Sequence, residues 1–311
     1  MEDPTSSEAV HEGLSHAPVR VMSARVKLGA RLVNLRSRRE LLHNLVISDI
    51  RIKYKGSALG LLWSMLNPAF TLGIYYLVFS VVLKNGYPNY VIFLFSGLIV
   101  WNMFQNAVFS ATGVIVDRAG LVKKVSFPRE ILPLASVGSA VIYFLIQLCV
   151  LIIFLFVFHH APEWNMLAIL PITFANLYLF AASVSIVMSA FTVYMRDMKH
   201  LMEVLLQLWF WMSPVVYSYE NSLAGQLAAH HLKWFYFMNP MALIVLTFQR
   251  TFYVKTLVKS TITHLPIKML PVWQPSSYLY LNLLMLVIMI GLFLISLIIF
   301  GRLEGNFESE L

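Results

Sequence analysis

Charge is scarce in this chain. Asp, Glu, Lys and Arg make up only 12% of the 311 residues, while apolar residues make up 59%. An ordinary soluble domain carries about 25% charged and roughly 45–50% apolar residues. A soluble enzyme, a nucleic-acid-binding module and a disordered tail protein are thereby excluded. Cysteine is almost absent: Cys149 stands alone in an apolar run, so no disulfide scaffold is built. No glycine is followed by a lysine, so there is no P-loop. No long apolar run carries Lys or Arg in its interior, and the deepest acid, Glu203, lies one turn into such a run. Proton- and ion-coupled transporters place ionisable groups at membrane depth. A pump built from this chain would therefore draw its energy from a partner. The pairs His159-His160 and His230-His231 lack the acid–His spacing of a metal site and read as external loop residues, with no metal expected.

What is present is long apolar sequence. A spanning helix needs roughly 20 mostly apolar residues. Runs at Ser57–Leu83, Tyr90–Val116, Ile131–Phe158, Met166–Val193 and Tyr278–Phe300 meet that length, and Leu201–Tyr217 is read as a sixth, short span that breaks at Pro214. The first 56 residues are polar and basic with no apolar stretch near the start, so a cleaved signal peptide is not expected. Seventeen of the 23 Lys and Arg fall on one parity of connecting segments. The positive-inside rule then sets both termini in the cytoplasm and 219–277 outside. The net charge of +8 speaks to topology and anionic headgroups rather than nucleic acid.

Three segments are neither spans nor minimal turns. Residues 36–56 read as an amphipathic interfacial helix, with Leu41, Leu42, Leu45, Val46 and Ile52 on one face. Asp49 falls inside that stripe, and Lys53, four residues on, is its natural partner. The segment is either a surface anchor or also a docking element. The basic connector 117–130 carries Leu121, Val122, Val125 and Phe127 as apolar points beside Lys123 and Lys124, and Pro128 should stop a short helix there. It reads equally as a knob for a partner's cleft or as a plain connector. In 219–277, the run Met238–Gln249 is apolar but too short to cross. Asn239-Pro240 fits the tip of a re-entrant helical hairpin, and an amphipathic cap on the outer leaflet is the alternative.

Aromatic residues reach 14%. Interfacial belts account for several. Trp63, Tyr75 and Tyr76 of the first span, Trp101 and Phe104 at i, i+3, and Phe210, Trp211 and Tyr217 near the fifth could together line a path for sugar rings. Each taken singly reads as core packing.

The run LVISDIRIKYKGSALGLLWSMLNP (45–68) resembles the opening signature of type-2 ABC export permeases for lipid-linked polysaccharides such as O-antigen, teichoic acid, capsule and cell-wall galactan. Asp49, Arg51, Lys53, Tyr54, Lys55, Ser57, Leu59, Gly60, Trp63, Asn67 and Pro68 carry the likeness, with Ser48 in place of the family's Arg. GLVKKVSFPREILPL resembles the family's coupling segment through Leu121, Lys123, Phe127, Pro128 and Pro133. Arg196-Asp197, WMSPVVYS and Asn239-Pro240 fit as well. The resemblance implies an all-α integral membrane protein: a polar extension (1–35), the interfacial helix (36–56), a six-span permease domain (57–301) and a cytoplasmic tail (302–311). It implies a homodimer in a bacterial plasma membrane, served by two nucleotide-binding subunits that hold ATP and Mg, with no cofactor and no catalysis in this chain. Arg51, Lys53, Tyr54 and Lys55 would meet the lipid headgroup. A passive channel subunit and a membrane-embedded glycosyl- or acyltransferase are the rival readings. The acids Asp49, Asp117 and Asp197 form no catalytic pair by spacing, which weighs against the last.

Overall fold

Proline sets where several of the long helices begin. Pro171, Pro240 and Pro275 each occupy the first or second position of a helix, and Pro133 the first turn of another. There the missing N–H costs nothing and φ is already helical. In the computed structural model, residues 28–57, 60–84, 86–125, 127–229, 236–262 and 264–311 are described. Most of them are helical: α1 (Leu28–Ser37), α2 (Arg39–Tyr54), α3 (Trp63–Tyr76), α4 (Tyr90–Asp117), α5 (Ala119–Lys124), α6 (Ile131–Val157), α7 (Trp164–Leu167), α8 (Leu170–Tyr194), α9 (Met198–Met212), α10 (Tyr219–Ser222), α11 (Ala224–Ala229), α12 (Pro240–Phe252), α13 (Pro275–Leu303) and α14 (Phe307–Glu310). Between α12 and α13, β1 (Leu257–Lys259) pairs antiparallel with β2 (Pro266–Lys268). His230 and His231 lie outside the described residues.

Among the described residues, five helices are long and apolar enough to cross a membrane: Met65–Val82, α4, α6, α8 and Pro275–Asn306. The expected sixth is shorter. Helix α9 has 15 residues, about 22 Å of rise, against a hydrocarbon core of roughly 30 Å. It stops at Met212 because Ser213, which precedes Pro214, is extended (φ −109°, ψ 142°). Other boundaries move too. The first span starts at Trp63 rather than Ser57, because Gly56 and Gly60 adopt left-handed φ of +77° and +50°. The fourth starts at Leu170 rather than Met166, after the separate turn α7. The helix expected over 36–56 runs as α2, Arg39–Tyr54, and a separate helix α1 precedes it from Leu28, within the stretch expected as a polar extension.

Helix α4 is the axis. Its apolar window is 78% buried, against 11% for the first span and 28% for the last. Helices α6, α8 and α12 pack around α4; α13 packs on α8, α2 on α6, and α3 and α9 along one side of α4. In lipid, helices gain little from the hydrophobic effect and associate by close packing. Small buried residues on α8 (Ala181, Ala182, Ser185, Ser189, Ala190) allow it. Gly138 does the same for α2: a Cβ there would come within 2.7 Å of Val46 Cγ2.

Helix α12 is buried from Met241 to Gln249 and lies along the first half of α4. The Tyr253 ring meets Phe93 at 5.5 Å. Gln249 sits against Gly97, where a Cβ would stand 2.9 Å from Nε2. Asn239 caps the helix by accepting from the Met241 N–H (3.1 Å) and from Trp209 Nε1 (2.9 Å), and Trp209 packs on Phe104 at 5.3 Å. At the far end Arg250 pairs with Glu163.

Where α4 ends and α6 begins, Arg31 of α1 is buried between two carboxylates. It pairs with Glu130 and, at 3.0 Å, with Glu304. It lies on Gly301, where a Cβ would come within 2.6 Å of Cζ. Arg129 donates to the Glu304 carbonyl at 3.1 Å. These contacts tie α1 to the start of α6 and the end of α13. Burial pushes the Glu130 carboxyl above the usual range, helped by the Glu304 charge and opposed by Arg31.

Candidate functional site

Helix periodicity gathers scattered polar residues into stripes. On α4, Asn102, Gln105, Asn106 and Ser110 follow i, i+3, i+4, i+8. On α6, Ser136, Ser139, Tyr143 and Gln147 follow i, i+3, i+7, i+11. On α3, Trp63, Asn67 and Thr71 follow i, i+4, i+8. The three stripes converge on a polar cleft made of two adjoining cavities. One, of about 370 Å3, is lined by Lys53, Ser57, Trp63, Asn67, Pro68, Thr71, Asn102, Gln105, Asn106, Tyr143 and Gln147. The other, of about 450 Å3, is lined by Asp49, Ile52, Lys53, Asn106, Ser110, Val114, Asp117, Arg118, Ser136, Ser139, Ala140 and Tyr143. Lys53, Asn106 and Tyr143 border both. Asn102 Nδ2 donates to Gln147 Oε1 at 3.4 Å, and Trp101 Nε1 donates to Gln105 Oε1 at 2.9 Å. Asn67, Gln105 and Asn106 are exposed to the opening.

The charged groups gather at the α4–α5 end. Lys53 Nζ lies 4.6 Å from the centre of the Tyr143 ring, a cation–π distance, and burial lowers its pKa. Asp49 pairs with Arg118, not with Lys53 as its helical spacing suggested. Arg118 ends α4 directly across from α2, and Lys53 is drawn over the ring instead. The Arg118 carbonyl accepts from the N–H groups of Leu121 (2.9 Å) and Val122 (3.1 Å), so the same residue starts α5. Asp117 and Lys199 meet at 3.5 Å and are well exposed, so the pair contributes little. Arg51 and Lys55 are exposed and border neither cavity. The Tyr54 side chain lies outside the described residues.

The connector helix α5 presents Leu121, Lys123, Lys124 and the following Val125 to the exterior. Val122 is buried, and Phe127 and Pro128 are half-buried, with Phe127 packed on the core. The expected row of apolar knobs therefore reduces to Leu121 on α5 and Val125 just after it, where the backbone is extended.

Most of the expected aromatic path is packing. Trp101 and Phe104 are fully buried and Phe210 nearly so. Phe104 stacks on Phe180 at 5.0 Å, Trp101 meets Phe210 edge-on at 5.5 Å, and Tyr75 stacks on Phe210 at 5.8 Å. These rings fasten α3 and α9 to α4. Trp63 alone among the eight borders the polar cleft; Tyr76 and Trp211 are exposed elsewhere, and the Tyr217 hydroxyl donates to the Trp211 carbonyl at 3.0 Å. The polar stripe of Asn102, Gln105 and Asn106 escaped the sequence reading, although three carboxamides at helical spacing inside an apolar run were the signal. Asn239 and Pro240, the expected re-entrant tip, stand where α12 begins.

Residues 41–253 match the family described as ABC-2 type transporter. Among proteins of known name, the chain is 30% identical over 204 residues to the O-antigen export system permease protein RfbA of Klebsiella pneumoniae, covering 66% of this chain and 76% of that one. It is 31% identical over 215 residues to the protein of the same name from Myxococcus xanthus, covering 69% and 81%. Long apolar helices wound around α4, a polar cleft at their side and a family match over most of its length together make this chain a multi-pass membrane protein of the ABC-2 type transporter family.

Proposed function

We propose that this chain is the permease subunit of an exporter that moves a lipid-linked polysaccharide from the cytoplasm to the outer face of a bacterial plasma membrane. The observation that carries this reading is the cleft. Carboxamides and hydroxyls are costly at membrane depth unless they face protein or a water-filled path. Asparagine and glutamine each offer donors and acceptors together, which suits sugar hydroxyls. The relatives named as O-antigen export permeases support the substrate class.

In this reading the polypeptide crosses six times, α9 serving as the short fifth span. Helix α12 is a re-entrant half-helix beside the outer half of α4, and 219–277 lies outside. Both termini are cytoplasmic, with 1–35 an extension, 36–56 interfacial, 57–301 the permease domain and 302–311 the tail. Two copies pair across the path, and two separate subunits bind ATP and Mg2+ beneath them. Leu121, Lys123 and Lys124 dock those subunits, and displacement of α5 reaches the cleft through Arg118 and Asp49 as a rigid-body movement. The lipid diphosphate is met by Lys53, with Arg51 and Lys55 at the membrane surface.

The test is co-purification and export with Lys123→Glu/Lys124→Glu. Charge reversal is expected to weaken capture of the ATPase subunit and to abolish export in vesicles. Undiminished capture with normal export would remove α5 from the interface. Export by the purified chain in vesicles without any ATPase would overturn the reading as a whole.

A further inference from the structure

The cleft has a charge pattern as well as a shape. Its more polar half is walled by Asn67, Thr71, Asn102, Gln105, Asn106 and Gln147, none of them charged, with Lys53 at its border. At the other end, Arg118 is neutralised by Asp49, and Asp117 adds a further negative charge. Asp117 is met by Lys199 at 3.5 Å, so Lys53 is the cation of the lining left without a paired acid. The apolar runs themselves hold no further cation. No Lys or Arg occurs in 56–83, 85–117, 130–195, 200–232, 234–249 or 269–301. Paths that conduct anions or phosphates line themselves with Arg or Lys, because an anion leaving water without a counter-charge costs several kcal/mol.

Given the export role above, on which this step rests, we propose that the cleft carries an electrically neutral glycan whose anionic charge is confined to its lipid-linked end, and that it discriminates against chains bearing a phosphate on every repeat. The amide stripes supply paired donors and acceptors to successive hydroxyl groups. Lys53, bordering both cavities beside Tyr143, meets the one diphosphate. A phosphate in each repeat would meet amides with no cation within the span.

The experiment uses the complex of this chain with its ATPase subunit in proteoliposomes. Two probes of equal length are compared: a polyprenyl-diphosphate-linked oligomer of neutral hexoses and a polyprenyl-diphosphate-linked oligo(glycerol phosphate). The readouts are stimulated ATP hydrolysis and appearance of the probe in the lumen. The neutral probe is expected to act at a concentration at least about tenfold lower, a difference of roughly 1.4 kcal/mol. Asn106→Lys, in the shared wall, is expected to narrow that gap several-fold. Asn67→Lys, on an exposed position of the opposite wall, serves the same purpose should the first variant not assemble. Equal action of the two probes, or preference for the glycerol phosphate, on the unaltered complex would overturn the neutral-glycan proposal. An assembled complex that hydrolyses ATP yet responds to neither probe would instead overturn the export role beneath it.

Discussion

Two groups of carboxamides sit among the apolar helices, and they are treated in opposite ways. Asn176, Gln249 and Asn282 are fully buried. Asn176 Nδ2 donates to the Asn282 carbonyl at 2.9 Å, Asn282 Nδ2 to Thr247 Oγ1 at 3.2 Å, and Gln249 Nε2 to the Pro214 carbonyl at 2.9 Å. They lock α8, α12 and α13 into one block. Asn67, Gln105 and Asn106 open into a cleft between α3, α4 and α6. Chemistry is the same in both groups, so its use is set by packing. Where small residues let helices close, amides become fasteners. Where α3 leans on α4, they are left open to the cleft.

That contrast can be broken in graded steps. The largest effect is expected at the charged rim of the closed block. Arg31→Met leaves Glu130 buried beside Glu304 with no counter-charge, and loss of one member of a buried pair costs about 3–5 kcal/mol. The melting temperature in detergent should fall steeply, with recovery when Glu130→Gln is added. The same carboxyl gives a pH dependence. Its folded pKa is raised, so the folded chain holds the proton more tightly than the unfolded one. Its contribution is full below the unfolded pKa and is lost as pH rises through the folded value. As pH rises from the ordinary carboxylate range through the raised folded value, the native protein should lose stability at this site, and Glu130→Gln should flatten the curve.

Next comes Gly97→Val. The new side chain would strike Val215 and Gln249, and overpacking of this kind costs about 1–3 kcal/mol. Unfolding in graded denaturing detergent would register it. Asn239→Ala removes the cap of α12 and the acceptor of Trp209, for about 1 kcal/mol, and hydrogen exchange in the first turn of α12 should accelerate. The smallest change in stability is expected in the cleft. Asn106→Leu should shift the midpoint by no more than about 0.5 kcal/mol and yet depress export. A large loss of stability there would erase the distinction between fastener and open amide.

Much of this architecture is legible in the sequence because uncharged runs of spanning length leave few choices. Pro214 and the prolines at the helix starts carry the boundaries almost by themselves. Other features follow from contacts that no local pattern encodes. Arg31 meets Glu130 and Glu304 across 99 and 273 residues of chain, so a basic segment at the start of the sequence gave no hint of a buried seat. Asp49 had a partner at helical spacing and another across the fold, and the second prevailed. The packing of most of the aromatic residues is not legible in the sequence, for a physical reason. In a membrane chain, rings that face protein and rings that face lipid occupy equally apolar sequence, so Trp101 and Phe104 look the same whether they line a lumen or plug it. The stripe from Asn102 to Ser110 carries a plainer signal, because carboxamides at helical spacing inside an apolar run must face protein partners or an opening.

Arg118 closes one helix, opens the next through its carbonyl and grips a third through its guanidinium. Mechanically this is a joint without slack. A push on α5 has no flexible linker in which to dissipate before it arrives at Asp49, so even a small stroke would be felt undiminished at the floor of the cleft.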